Sequence, residues 1–285
     1  MKWVLIKKRY NEIKNLPTIQ ETLKKNKVKI NKALGQNFLF DLNLTDKIVK
    51  QSKPLASTII EIGSGPGSLT RSILKNKSAI VFAIDKDIQS EKMLSELKII
   101  YKDRLNIIID DALHYPIWNL GKAPRQVIAN LPYNVGTKML ITWLKYIQNF
   151  DLLTLMFQKE VAERIVAKPG SKNYGRLSIL TNYKLSILES FSVSPNCFTP
   201  KPKINSMVIH FRPKNNNSCR IKNIEKLEKV TNIMFSNKRK MINKNIIKLL
   251  NKDQIEKIKE INLKSRPTEI RPETYYKITE LYQKN

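Results

Sequence analysis

From Leu34 onward the chain alternates short aliphatic, β-branched runs with stretches in which apolar residues return every three to four positions. The runs predict strands at 58–62, 79–84, 105–109, 126–129, 152–157 and 206–211, and the intervening spacing predicts helices at 70–75, 90–99, 138–147 and 159–167. Regular strand–helix alternation implies an α/β domain with a mostly parallel sheet and helices on both faces. At 213–218 three consecutive asparagines break all periodicity and mark a linker, and beyond it the spacing is helical only. The expected organisation is a basic N-terminal extension with a short helix (1–33), the α/β domain (34–213) and a small all-α domain (219–285). No run of about 18 apolar residues exists to span a bilayer, and the first 15 residues lack the apolar segment and small-residue cleavage site of a secretory signal.

Charge changes this picture. Fifty-two Lys and Arg against 24 Asp and Glu leave +28 at pH 7, far more than solubility requires. Residues 1–34 carry +8, residues 35–199 only +7 and residues 200–285 +13. A middle of modest charge between basic flanks suits a protein whose centre does chemistry while its ends hold a polyanion, which points to nucleic acid. Two cysteines, Cys197 and Cys219, and two histidines, His114 and His210, make neither a disulfide framework nor a zinc site. The expectation is a cytoplasmic protein without a metal.

The first loop with chemical content is Glu61-Ile62-Gly63-Ser64-Gly65-Pro66-Gly67, placed after a strand and before a helix. Glycines there allow a tight turn and let a ligand approach the main chain. Gly63 and Gly65 are therefore candidates for cofactor contact, and Asp85, at the end of the second predicted strand, can take both hydroxyls of a ribose. Ser68 stands where the dinucleotide fingerprint has its third glycine, which argues against NAD. Asp110-Asp111 ends the third strand at the same sheet edge, and Asp111 is the better placed to accept a hydrogen bond from an adenine amine.

The fourth strand runs into Asn130-Leu131-Pro132-Tyr133. An exocyclic adenine amine is a poor nucleophile because its lone pair is delocalised into the ring. A site that methylates it must accept hydrogen bonds from the amine protons, which the Asn130 side-chain oxygen and the Leu131 carbonyl can do while Pro132 stiffens the turn. Tyr133 can stack on the face of an extruded base.

These stretches resemble those of the S-adenosylmethionine-dependent ribosomal RNA adenine dimethyltransferases. The likeness covers roughly residues 18–282 and rests on Leu34-Gly-Gln-Asn-Phe-Leu39, Glu61 to Gly67, Asp111-Ala-Leu113, Asn130-Leu-Pro-Tyr-Asn134, Gln158 to Arg164, Tyr174-Gly175, and Phe198-Thr-Pro200 with Pro202, Lys203 and Ser206. It implies a class I methyltransferase fold with S-adenosylmethionine as methyl donor. It also implies cofactor contacts by Asn37 and Leu39, and Phe198 as a second aromatic opposite Tyr133. The basic stretch Phe235 to Lys240 resembles one expected to bind RNA phosphates. Asp85 departs mildly from the family, which usually has Glu there. The branch most resembled dimethylates N6 of two adjacent adenosines near the 3′ end of 16S rRNA in the small ribosomal subunit. The absence of a sustained heptad or an exposed apolar stripe from the sequence pattern points to a monomer. Two rivals stay open: a 23S rRNA dimethylase conferring macrolide resistance, and a non-catalytic relative such as a mitochondrial transcription factor or an assembly checkpoint.

Overall fold

A computed structural model describes residues 16–31, 35–76, 79–214, 221, 223–259 and 261–284. Residues 1–15, Leu34 at the head of its motif, the linker from Asn215 to Ser218 and Cys219 lie outside these.

Nine strands are described: β1 (Phe38–Leu39), β2 (Thr58–Ile62), β3 (Ile80–Asp85), β4 (Leu105–Ile109), β5 (Arg125–Asn130), β6 (Leu152–Gln158), β7 (Leu185–Val193), β8 (Phe198–Thr199) and β9 (Ser206–Pro213). Seven of them form one sheet in the order β4-β3-β2-β5-β6-β9-β7. Pairing from β4 through β6 is parallel, and β9 joins β6 antiparallel. Every residue of β2 is buried, which is why a near-continuous aliphatic run rather than an alternating one encodes it. The small pair β1 and β8 sets Leu39 opposite Phe198.

Helices α1 (Ile19–Lys25), α2 (Leu42–Gln51), α3 (Ser68–Leu74), α4 (Gln89–Ile100), α5 (Gly136–Trp143), α6 (Lys159–Val166) and α7 (Arg176–Lys184) accompany the strands. Four more follow: α8 (Ile224–Met234), α9 (Asn243–Ile246), α10 (Lys252–Glu256) and α11 (Pro272–Tyr282). The expected α/β sheet with a helical C-terminal region is thus present, and the six expected strands appear within one residue of their expected ends, apart from β9, which runs on to Pro213. Strands β1, β7 and β8 and helices α2 and α7 were not expected. Helix α5 ends earlier than the spacing suggests, with a 3₁₀ segment over Leu144–Asn149. Among the described residues no helix is long and apolar enough to cross a membrane.

Strand β2 pairs with β3 on one side and β5 on the other, so the winding direction reverses there. The carboxyl ends of strands flanking such a reversal open a crevice where ligands bind in sheets of this type. Gly63, Asp85, Asp110 and Asn130 all sit at or just after those ends.

By compactness the chain divides into one unit of Met1–Met139, Gln148–Lys159 and Leu188–Phe211, and a second of Leu140–Ile147, Glu160–Ile187 and Arg212–Asn285. This line differs from one drawn at the linker, because α7 packs against both α8 and α11 and so groups with the C-terminal helices. Within the second unit the Tyr174 hydroxyl donates to Ile270 O at 3.0 Å and the Tyr275 hydroxyl to Pro267 O at 2.7 Å. Ser236 to Lys240 are exposed there.

Candidate active site

A cavity of about 180 Å³ lies wholly in the first unit, at the crevice above β2 and β5. Its floor is the glycine loop, whose shape is fixed by hydrogen bonds. Gly63 N donates to Ile84 O at 2.8 Å, and Gly65 N to the Asp85 carboxylate at 2.8 Å. Gly67 starts α3 at φ +84°, in the left-handed region, and a Cβ there would stand 2.6 Å from Leu94 Cδ2 and 2.9 Å from Leu97 Cδ1. Gly67→Ala therefore combines backbone strain with overpacking, and a loss of about 2–4 kcal/mol is expected. Thermal melting checks it: an unchanged midpoint would mean that α4 yields freely.

Asp85 is the hub of the loop. Its second carboxylate oxygen accepts from Asp87 N at 2.9 Å, and Asp87 in turn takes the Gln36 amide at 2.6 Å. Burial pushes the Asp85 pKa up, while the N–H groups of Asp87 and Gly65 pull it back by favouring the ionised form. At Asp111 slight burial acts upward too, yet the Lys86 ammonium at 2.9 Å holds the carboxyl below its ordinary range. The other Asp111 oxygen accepts from Leu113 N at 3.0 Å. Both carboxylates line the cavity.

The opposite wall is the turn after β5. Pro132 O accepts from Val135 N and Gly136 N at 3.2 and 2.9 Å, which folds residues 130–136 into a rigid lead-in to α5. Asn130 Nδ2 donates to Asn37 O at 3.2 Å and fastens the segment before β1 to this turn. Its Oδ1 is buried and accepts nothing. Leu131, Pro132 and Tyr133 line the cavity too, as do Asn37 and Leu39 of the segment fastened to this turn. Leu39 O also accepts from the Ser68 hydroxyl at the start of α3.

Phe198 is not brought to the cavity. It is 3% exposed and packs in the core with Leu39, Ile48 and Val208, because its pairing across β8 and β1 turns the ring inward. As described, this ring has no face open to a base.

Three groups lie within the motifs quoted from the sequence, which gave none of them a role. Glu61, on buried β2, is 1% exposed, and one of its oxygens has no partner. Burial pushes its pKa up to about 8, against the opposing pull of Thr70 and with a further upward push from Asp85. The buried Ser64 hydroxyl is also unpartnered. Ser206, 0% exposed, meets the Tyr133 hydroxyl at 2.7 Å. The β-branched setting of Glu61 reads as core, and only its place before the glycines could have singled it out.

These observations test the fit of S-adenosylmethionine. Unpaired buried oxygens on Glu61, Ser64 and Asn130 surround one cavity and call for hydrogen-bond donors or a cation. The cofactor carries an ammonium, a sulfonium, ribose hydroxyls and an adenine amine. A Cβ on Gly65 would lie 3.0 Å from the Phe38 ring and crowd the loop. The residues present fit the group.

The family model for ribosomal RNA adenine dimethylases matches residues 27–284. The chain belongs to that family. The dimethylase is 43% identical over 228 residues to the ribosomal RNA small subunit methyltransferase A of Rhodospirillum rubrum, covering 80% of this chain and 79% of that one. It is 41% identical over 252 residues to the protein of the same name from Agrobacterium fabrum, covering 86% and 90%. Among solved structures, a dimethyladenosine transferase from Plasmodium falciparum matches with a TM-score of 0.69 at 25% identity, over 85% of this chain and 95% of that one. The 23S rRNA methyltransferase ErmE shares the fold, with a TM-score of 0.64 at 19% identity over 87% and 100%. The dimethylase is an enzyme that uses S-adenosylmethionine as methyl donor and ribosomal RNA as substrate.

Proposed function

We propose that the dimethylase transfers methyl groups to N6 of two adjacent adenosines near the 3′ end of 16S rRNA, twice on each, in the small ribosomal subunit or its precursor. The small-subunit name shared by relatives at 41–43% identity supports this substrate over the large subunit. The work belongs in the cytoplasm, away from membranes, and falls to a monomer. Residues 34–213 carry the chemistry, and the helices beyond 219, with exposed Lys238, Arg239 and Lys240, hold RNA phosphates.

The single observation that carries the catalytic reading is the buried, unpaired Asn130 Oδ1 on the cavity wall. Bound S-adenosylmethionine supplies a methyl group on a positively charged sulfur. Asp85 would hold its ribose and Asp111 its adenine, with Gly63 and Gly65 lining the approach and Asn37 and Leu39 completing the lining beside the turn that carries Asn130. Tyr133 stacks on the extruded base. Asn130 Oδ1 and the Leu131 carbonyl accept the amine protons and favour a tetrahedral nitrogen. After the first transfer the amine keeps one proton, so one of those two hydrogen bonds is given up before the second. The proton passes to solvent once the methylated amine has become acidic, and positioning carries most of the acceleration.

Transfer of labelled methyl groups to undermethylated small subunits, with large-subunit RNA as control, tests the proposal. Two adjacent reverse-transcription stops near the 16S 3′ end are expected. Label confined to 23S RNA would overturn it.

A further inference from the structure

Tyr133 is the aromatic wall of the cavity, and a stacking wall works only if its plane is fixed. The turn after β5 fixes its backbone, through the bonds that Pro132 O accepts from Val135 and Gly136. The ring itself is fixed from elsewhere. Its hydroxyl lies 2.7 Å from Ser206 Oγ, a contact between residues 73 apart in sequence. Ser206 is the first residue of β9, is 0% exposed, and pairs in register with Gln158 at the end of β6. The bond between Lys159 N and Asn205 O, 2.9 Å long, pins the residue before it. Ser206 is thus held by strand pairing on both its own residue and the one before it, and one hydrogen bond ties the hydroxyl end of Tyr133 to this paired end of the sheet. The Ser206 end of this bond is fully buried and the Tyr133 end half-buried, so Ser206 has no water to turn to if the bond is lost.

We propose that Ser206 is a positioning residue for methyl transfer: through its hydroxyl it sets the plane of the Tyr133 ring, and so the line along which the target amine meets the methyl group. This rests on the reading of Tyr133 as the stacking residue. The stacking energy of a base depends on the ring face and survives a small tilt, whereas in-line attack does not tolerate one, because misplacing the reacting atoms by about 1 Å costs on the order of 100-fold in rate. The loss belongs in kcat and not in KM. It falls harder on the second transfer, for which the amine has only one proton left to be oriented by.

The test compares wild type, Ser206→Ala, Ser206→Thr, Tyr133→Phe, Tyr133→Ala and the double variant S206A/Y133F on undermethylated small subunits. Each is followed by kcat, KM, the ratio of monomethyl to dimethyl adenosine, and thermal melting. Ser206→Ala and Tyr133→Phe should each lower kcat by roughly 10-fold with KM within about twofold, and both should accumulate monomethyladenosine. The double variant should be no worse than either single one, because both remove the same bond. Ser206→Thr, which keeps the hydroxyl, should recover most of kcat. A structural role alone would lower the melting temperature of Ser206→Ala and leave kcat and the product ratio unmoved, which overturns the proposal, as would losses that multiply in the double variant. Full activity in Tyr133→Ala would overturn the stacking reading and this proposal with it. An inactive Tyr133→Ala beside a normal Ser206→Ala would overturn this proposal alone.

Discussion

Replacement of Asn130 by Ala is expected to lower methyl transfer by at least roughly 100-fold, the scale on which removal of one preorganised polar group acts in related chemistry, while RNA affinity stays at the wild-type level. The reason lies in how its two side-chain atoms are divided. Nδ2 is committed to Asn37 O, so the amide cannot rotate without losing that bond, and Oδ1 is left as an unpartnered acceptor on a residue that lines the cavity. An adenine amine brought there can donate to it, and a hydrogen bond that favours the tetrahedral nitrogen needed for attack strengthens towards the transition state. Ala removes both functions and leaves Asn37 O without its donor. Asn130→Asp keeps an acceptor and loses the donor, so it should fall between the two. Filter binding to small-subunit RNA and single-turnover transfer measure the two sides separately. Wild-type turnover in Asn130→Ala would end the assigned role.

The second large effect is on stability against pH, and it comes from Glu61. Its folded pKa of about 8 stands above the ordinary 4.5. Between those two values the unfolded chain has released this proton while the folded one keeps it, so the unfolded state binds fewer protons and stability falls as pH rises. The contribution is fully present below about pH 4.5 and lost by about pH 8. The whole window is worth on the order of 5 kcal/mol as an upper bound. Glu61→Gln removes the titrating group with little change of shape. The melting temperature of the wild type relative to that variant should therefore decline from pH 5 to pH 8 and level off above it. Parallel profiles for the two proteins would show that Glu61 is ionised in the folded state throughout.

What could be read in the sequence was what local physics decides. Thr58 to Ile62 is buried on both faces and bounded by glycine, so its aliphatic run stands out. Gly63, Asp85, Asp111 and Asn130 each follow or close such a run, and the doubly wound plan alone gathers strand ends at one edge. Strand β7 was hidden for the opposite reason. It is the sheet's edge, mostly exposed, and Ser186, Glu189, Ser190 and Ser192 dilute its pattern. Phe198 shows the limit at the site. Its motif suggested a stacking ring, but burial of that ring follows from its register with Leu39, which no local pattern contains. The Tyr133 to Ser206 bond and the raised pKa of Glu61 are likewise products of packing between distant segments.

The close fit of Gly67 against Leu94 and Leu97 also sets how the glycine loop could change over generations. Neither leucine lines the cavity, yet the missing methyl group of one residue and the bulk of the other two are one piece of volume shared between α3 and α4. In a selection for restored function from Gly67→Ala, second-site suppressors should arise at Leu94 or Leu97 as shorter side chains. Rescue would be partial, since the left-handed backbone at 67 is untouched by any exchange of size. Helix α4 would thereby act as an adjustable stop for the cofactor loop, letting substitutions that touch no ligand retune it.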